Sequence, residues 1–384
     1  MHRNQVPSAF SQTISLRNHQ KAADYAMAKA EIGLLELALG LIVLLAWTLL
    51  GGLSSLNLAL LRGLGGGLGQ QIALLSSFVV INGLIDLPLS LYQTFVIEER
   101  FGFNKTTLKL WLIDLVKSSV IGAFIGVPIA TLILWLMGTA GNQWWLWAWG
   151  VWVGFHVLLL LIYPTFIAPL FNKFIPLSDE TLRTRVATLM QRCGFAAKGL
   201  FVMDGSKRSA HANAYFTGFG AAKRVVFYDT LLAKLSGPEV DAVLAHELGH
   251  FKRRHVMKRI ISMFALSLLG FLTLGWLATQ VWFYRGLGVQ PSMEAPNDAL
   301  ALLLFMLVVP VFGFFIAPVL ALFSRKHEFE ADAYAVAHTN GQDLAAALLK
   351  LYEDNASTLT PDPLYVRFYY SHPPAPERLA RILV

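Results

Sequence analysis

The sequence has little of what secreted or water-soluble enzymes depend on. It contains one cysteine, Cys193, among 384 residues, so an intrachain disulfide is excluded. Only 14% of the residues are charged, well below the roughly 25% of ordinary soluble domains. Hydrophobic residues make up 55% of the chain, a share that also excludes intrinsic disorder. This composition indicates a membrane protein.

Long apolar runs occur six times, and each is close to the roughly 20 residues that a membrane-spanning helix needs. The runs cover residues 32–50, 72–93, 118–137, 144–166, 260–283 and 299–323. They divide the chain into four parts. Residues 1–166 carry four spans, 167–259 form an inserted domain, 260–323 carry two spans, and 324–384 form a C-terminal segment.

The basic residues follow these spans. Of the 31 Lys and Arg residues, all but Arg62 and Arg285 fall in alternate segments, namely the N-terminal segment, the second loop, the insert and the C-terminal tail. Because cytoplasmic segments carry the excess of Lys and Arg, we expect both termini and the insert to be cytoplasmic. The same distribution argues against nucleic-acid binding, as does the lack of a nucleic-acid recognition motif.

A metal-binding pattern lies in the insert. Ser236 with Glu239 three residues later predicts a capped helix start. On that helix His246 and His250 are four residues apart and face the same side, so both imidazoles can bind one Zn²⁺. Glu247 is next to the first histidine and is placed to take a proton from water at the metal. The pattern predicts a hydrolytic zinc site.

A catalytic zinc needs a third protein ligand and an open position for water. A histidine at 256 would supply it in one common arrangement, but the residue is Val256, and His255 is out of register. We therefore interpret His255 as exposed or interfacial. Glu328 and Asp332, four residues apart after the sixth span, can instead offer a ligand and a carboxylate that orients a zinc-bound imidazole. Glu330 points elsewhere on that helix.

Several longer stretches extend the pattern over nearly the whole chain. They are EERFGFNKTT at 98–107, NAYF at 213–216, HELGH at 246–250, EFEAD at 328–332 and SHPPAPER at 371–378. On these residues the sequence resembles the type I CAAX prenyl proteases, which are membrane-integral zinc endopeptidases of the gluzincin group, and it is similar to a bacterial member.

The resemblance implies a mainly α fold, a polytopic α-helical membrane protein with an inserted α+β gluzincin-like zinc protease domain. It implies one Zn²⁺ per chain, cleavage of prenylated or hydrophobic peptides and membrane proteins, and a bacterial inner membrane location. It also assigns site residues: zinc ligands His246, His250 and Glu328, general base Glu247, orienting carboxylate Asp332, substrate-pairing residues Asn213 and Ala214, and His372 and Arg378 near the reacting carbonyl.

Some interpretations stay open at this point. Segments 211–217 and 224–228 flank glycines as in a β-hairpin, yet Asn213 can equally be a turn residue and His372 a rigid loop histidine. Polar residues inside the spans indicate either a water-filled chamber or hydrogen bonds between helices; they are Glu36, Asn82, Asp86 and His156.

Two larger questions also remain open. The family usually has a further span before the segment that matches residues 8–29, so we expect either an internal start or a six-span form. A transporter or channel with a structural metal site is the alternative function. Structural zinc sites are typically cysteine-rich, so one cysteine favours the open, catalytic kind of site.

Overall fold

The computed structural model describes residues 3–195, 199–218, 224–293 and 295–384. Its N-terminal part consists of the helices α1 (Leu16–Trp47), α2 (Gly52–Leu64), α3 (Leu68–Tyr92), α4 (Leu108–Thr139) and α5 (Trp144–Ile162). Two of them begin at polar caps: the Ser15 side chain accepts a hydrogen bond from the Asn18 backbone N–H at the start of α1, and Thr107 does the same for Leu110 at the start of α4.

The inserted domain follows with a small sheet and its covering helices. Its elements are β1 (Phe174–Pro176), α6 (Glu180–Arg192), β2 (Gly199–Met203), β3 (Ala214–Thr217), β4 (Arg224–Tyr228), α7 (Asp229–Leu232) and α8 (Gly237–Lys252). The strand order is β1-β2-β4-β3. The β2–β4 pair is parallel, and the two outer pairs are antiparallel. The strand β3 is therefore an edge strand.

The rest of the chain returns through the membrane part and closes on the inserted domain. Its helices are α9 (His255–Leu277), α10 (Val281–Gly286), α11 (Asp298–His338), α12 (Gly341–Asp354), α13 (Pro363–Tyr369) and α14 (Ala375–Ile382). Helix α11 has 41 residues, or about 60 Å at 1.5 Å per residue. It therefore continues well beyond the roughly 30 Å hydrocarbon layer of a bilayer.

The mainly α, polytopic fold class is confirmed. Among the described residues six helices are long and apolar enough to cross a membrane, and each predicted span falls on one of them. The sequence-based bounds need two corrections. Helix α9 ends at Leu277, and the short helix α10 occupies the end of the predicted fifth span. Helix α2 was not predicted, because its 13 residues are too few for a span.

The polar residues within the spans take different environments. The Asn82 side chain accepts a hydrogen bond from Trp47 Nε1 and donates one to the Phe78 carbonyl. His156 Nδ1 lies 2.8 Å from the Trp152 carbonyl, and its ring contacts the Trp152 ring. Glu36 and Asp86, together with Asn82, line a cavity of about 490 Å³. Helix packing explains His156, while Glu36 and Asp86 border internal space.

The helix α8 begins where the capping pattern predicts. The Glu239 carboxylate accepts hydrogen bonds from the backbone N–H and the hydroxyl of Ser236, at 2.7 and 2.9 Å. Lys350 on α12 donates to the same carboxylate at 2.8 Å. Burial alone would raise the pKa of Glu239, but these contacts with Ser236 and Lys350 outweigh burial and lower the pKa. The cap therefore also ties α8 to α12.

The contact between α8 and α11 depends on a residue without a side chain. A Cβ added to Gly249 would lie 3.0 Å from the Ala331 Cα and 3.0 Å from the Tyr334 Cβ. Both Gly249 and Ala331 are buried. Glycine thus allows the backbones of the two helices to approach closely.

We predict that Gly249→Ala separates α8 from α11. Adding a methyl group to so close a contact costs about 1–3 kcal/mol, so the midpoint of thermal unfolding of the detergent-purified protein should fall, and Zn²⁺ binding should weaken.

The matched control is Gly313→Ala, at a helical glycine of α11 where an added Cβ meets no atom within 4 Å. Alanine should be neutral or stabilising there. Equal unfolding midpoints for Gly249→Ala and the unchanged protein would contradict this account of the packing.

Candidate active site

Three potential ligands converge where α8 crosses α11. The Nε2 atoms of His246 and His250 lie 3.2 Å apart. Glu328 on α11 completes the group: its Oε2 lies 3.5 Å from His246 Nε2, and its Oε1 lies 3.3 Å from His250 Nε2. His246 and Glu328 are buried, and His250 is partly buried. The three side chains form the candidate metal cluster found among the described residues.

These separations fit a metal ion. Ligands about 2.0–2.1 Å from a tetrahedral Zn²⁺ are about 3.3 Å from one another, close to the three measured distances. In addition, Glu328 Oε2 is buried and has no hydrogen-bond partner in the part of the chain that the structure describes. A buried carboxylate oxygen without a partner is costly, and a cation at this point would satisfy it.

His246 is held from behind by two charged residues. Its Nδ1 lies 2.8 Å from Asp332 Oδ1. Arg378 on α14 donates to both oxygens of that carboxylate, at 2.6 and 2.9 Å. With Asp332 as acceptor, the proton of His246 resides on Nδ1 and leaves Nε2 free as a ligand. Asp332 thus contacts the imidazole that it is predicted to orient, and the orienting role itself stays a prediction.

The electrostatic field at the site favours positive charge. Burial alone would lower the pKa of His246, but hydrogen bonds that its ring donates to the carboxylates of Asp332 and Glu328 in the metal-free protein outweigh burial and raise the pKa to about 9. The same negative potential attracts a metal cation. Burial also raises the pKa of Glu247, although His246 and His250 oppose the shift. A raised pKa suits a carboxylate that must accept a proton near neutral pH.

The sequence predicted that His255 is exposed or interfacial, and the first of these alternatives is wrong. The residue is 4% exposed, and its Nδ1 lies 3.0 Å from His250 Nδ1. Its Nε2 lies 2.9 Å from Glu330 Oε2, so Glu330 points away from the ligands but faces His255. Exposure was expected because His255 is one residue away from the position of a third histidine ligand, but the backbone turns sharply at Arg254 and brings its side chain against His250.

The predicted substrate residues lie around this cluster. His372 is exposed, with its Nε2 3.5 Å from Glu328 Oε1. Asn213 is exposed next to the buried Ala214, the first residue of β3. Strands β3 and β4 pair antiparallel as the hairpin predicts, but residues 219–223 lie outside the described residues. Arg378 is 5% exposed and binds Asp332. Its contact with substrate stays a prediction, and its link to Asp332 was missed.

A histidine pair and a glutamate, held on a body of membrane-length helices, define the class: a membrane-integral metallopeptidase. Known proteins agree. Residues 1–173 match the family model "CAAX prenyl protease N-terminal, five membrane helices", and residues 176–383 match that of peptidase family M48. The chain belongs to this family of metallopeptidases and is a membrane metalloendopeptidase.

Individual relatives support the same conclusion. The chain is 39% identical over 316 residues to a CAAX prenyl protease 1 homolog of Arabidopsis thaliana, covering 82% of this chain and 73% of that protein. It is 38% identical over 328 residues to CAAX prenyl protease 1 of Saccharomyces cerevisiae, covering 82% and 72%. The crystal structure of S. mikatae Ste24p superposes with a TM-score of 0.92 at 33% identity, covering 98% of this chain and 91% of that one.

These matches also bear on the open questions. Both family models describe peptidases, so the transporter or channel alternative is not favoured. The N-terminal family model has five membrane helices, and the described part of residues 1–173 has four that are long and apolar enough to span a bilayer.

We predict that Glu328→Gln abolishes stoichiometric metal binding. The amide keeps the shape of the side chain but loses the charge, so Zn²⁺ affinity should fall at least about 100-fold. The metal-free variant should unfold at a lower temperature than the metal-free parent, because His246 and His250 lower the pKa of Glu328 and so stabilise its carboxylate in the folded protein.

Zinc content by elemental analysis and thermal unfolding provide the measurements, and Glu377→Gln on the exposed side of α14 is the control. Normal zinc content in Glu328→Gln would assign the third ligand elsewhere, with Glu330 as the next residue to examine.

Proposed function

We propose that the protein binds one Zn²⁺ through His246, His250 and Glu328 and hydrolyses peptide bonds next to the membrane. The observation that carries the proposal is the convergence of three ligand groups, from two helices, at the spacing of a tetrahedral zinc site. When bound, zinc supplies Lewis acidity, which lowers the pKa of water and polarises a carbonyl group.

Glu247 acts as the general base. It follows the ligand His246 on α8, and burial raises its pKa, so its affinity for a proton is higher than that of an exposed glutamate. It takes a proton from the attacking water and then delivers it to the leaving amine. Because Glu247 performs both proton transfers, replacing it should stop turnover. Because it is not one of the three proposed metal ligands, the replacement should leave zinc bound.

The edge strand β3 binds the substrate backbone. The Asn213 carbonyl accepts a hydrogen bond from the Tyr228 N–H on β4. Because backbone groups alternate in direction along a strand, those of Ala214 and Phe216 point away from β4, towards the open edge. An extended peptide can pair there as an added strand. In its absence the Asn213 side chain accepts a hydrogen bond from the Ala214 N–H.

His372 stabilises the charge that develops on the carbonyl oxygen of the scissile bond. Its Nε2 is near Glu328, and its Nδ1 lies 3.0 Å from the Ser371 hydroxyl. Two buried prolines follow it, Pro373 and Pro374, and proline restricts the backbone of the preceding residue. The exposed imidazole therefore lies near the three potential ligands, where it could donate a hydrogen bond to the carbonyl oxygen of a bound substrate. We also retain the prediction that Arg378 lies close to the carbonyl group of the scissile bond.

The substrates that fit this setting are hydrophobic peptides and membrane proteins, including prenylated ones. The relatives are named CAAX prenyl proteases, and the site lies at the end of a membrane-length helix. The distribution of Lys and Arg supports a cytoplasmic catalytic domain with both termini on the same side. We assign the protein to a bacterial inner membrane on the resemblance to bacterial members.

We predict that Glu247→Gln retains one zinc per chain and loses peptide cleavage. General acid–base catalysis contributes about 10²–10⁴-fold to rates, so turnover of a hydrophobic reporter peptide should fall by at least this factor. Zinc content and cleavage are measured on the same detergent-purified sample. Full turnover with bound zinc would refute the role of Glu247.

The same variant identifies substrates. Membranes that contain the active protein are compared with membranes that contain Glu247→Gln, and peptides released only by the active form are sequenced by mass spectrometry. We expect cleavage sites next to apolar or lipid-modified segments. Sites confined to polar, soluble proteins would contradict the proposed substrate class.

We predict that His372→Ala lowers kcat by about 10²–10³-fold, the usual loss for one donor to a developing oxyanion. KM and zinc content should remain within about twofold of the parent, since the exposed imidazole holds neither the peptide strand nor the metal. Ser371→Ala serves as the control and should retain most activity. Loss of zinc in His372→Ala would instead assign it a role as a ligand.

A further inference from the structure

The two histidine ligands are supported from behind in different ways. His246 Nδ1 contacts a carboxylate directly, that of Asp332, at 2.8 Å. His250 Nδ1 contacts another imidazole nitrogen, His255 Nδ1, at 3.0 Å. The family resemblance assigns no role to His255, and the metal set of His246, His250 and Glu328 is complete without it.

Facing nitrogens restrict where the protons lie. If His250 binds metal through Nε2, its proton is on Nδ1, and that N–H donates towards His255. His255 Nδ1 must then be the acceptor and carry no proton. The proton of His255 therefore resides on Nε2, which lies 2.9 Å from Glu330 Oε2, a carboxylate oxygen that accepts it. In this arrangement each of the two contacts, His250 with His255 and His255 with Glu330, joins one donor to one acceptor.

The backbone conformation at Arg254 places His255 against His250. Arg254 has φ 57° and ψ 32°, a left-handed conformation for a residue other than glycine. Such a conformation is strained for a residue with a side chain and persists where the surrounding structure imposes it. It ends α8 and starts α9 at His255, so that this side chain folds back on His250. The ring is 4% exposed and stacks on His327, with centroids 3.9 Å apart and planes at 13°.

We propose that His255 and Glu330 form a positioning pair that holds His250 in the tautomer and orientation needed to bind the metal. The pair does for His250 what Asp332 does for His246, with an imidazole inserted between ligand and carboxylate. The inference rests on the zinc site proposed above and adds residues that do not touch the metal. It predicts that zinc affinity depends on an acceptor at the position of His255 Nδ1.

The test compares two substitutions at 255 in the full-length, detergent-purified protein. His255→Phe keeps an aromatic ring but removes the acceptor. His255→Asn places an amide oxygen near the position of Nδ1. We expect the Zn²⁺ dissociation constant, measured by competition with a chromophoric chelator, to rise about 10- to 100-fold in His255→Phe and to recover to within a few-fold of the parent in His255→Asn.

Two further variants separate positioning from packing. His327→Phe preserves the stacked ring without touching a ligand, so it should bind zinc as the parent does. Glu330→Ala alters a partly exposed side chain, which the fold tolerates, and should weaken zinc several-fold. It carries the test if His255→Phe does not fold. Thermal unfolding of the metal-free proteins reports any general loss of structure.

Parent-like zinc affinity in both His255→Phe and Glu330→Ala would overturn the proposal. Equal losses in His255→Phe and His255→Asn would also overturn it, because they would show that only the ring's packing matters. The unchanged protein is measured in parallel. If it bound no stoichiometric zinc, the proposed metal site itself would fail, an outcome distinct from failure of the positioning pair.

Discussion

The close approach of α8 and α11 at Gly249 is the contact on which the site depends. Gly249 lies between the ligands of α8 and against Ala331, itself between Glu328 and Asp332. The lack of a side chain at Gly249 thus sets how near the histidines of α8 come to the carboxylates of Glu328 and Asp332. Both carboxylates belong to the membrane-length helix α11, and Asp332 lies 86 residues after His246 in the chain. The candidate metal site and the membrane part are therefore connected directly, because α11 belongs to both.

This approach concentrates buried negative charge, and the remaining contacts balance it. Arg378 donates two hydrogen bonds to Asp332 and also lies 3.6 Å from Glu328 Oε2, an oxygen without a hydrogen bond among the residues that the structure describes. Burying carboxylates is costly unless positive charge lies close to them. The cost is offset when a divalent cation binds, so metal binding and stability of the α8–α11 contact are linked.

Patterns with a fixed local period could be read from the sequence, and contacts between distant elements could not. The apolar runs predicted the membrane helices, and the Ser236–Glu239 cap predicted where α8 begins. Four-residue spacings placed His246 with His250 on one helix face, and Glu328 with Asp332 on another. The structure brings the two pairs together, and their chemical roles stay predictions. His255 was misread because helix periodicity does not reveal the left-handed turn at Arg254. The pairing of Arg378 with Asp332 depends on how α14 packs on α11, which no local pattern encodes.

The proposed zinc site consists of two imidazoles and one carboxylate at the crossing of α8 and α11. X-ray absorption spectroscopy of the protein with one Zn²⁺ per chain identifies such ligands, since the edge and fine structure report ligand type and distance. We expect two imidazole nitrogens and oxygen ligands at about 2.0–2.2 Å, without a sulfur neighbour. A sulfur ligand at about 2.3 Å, or a spectrum with only oxygen ligands, would contradict it.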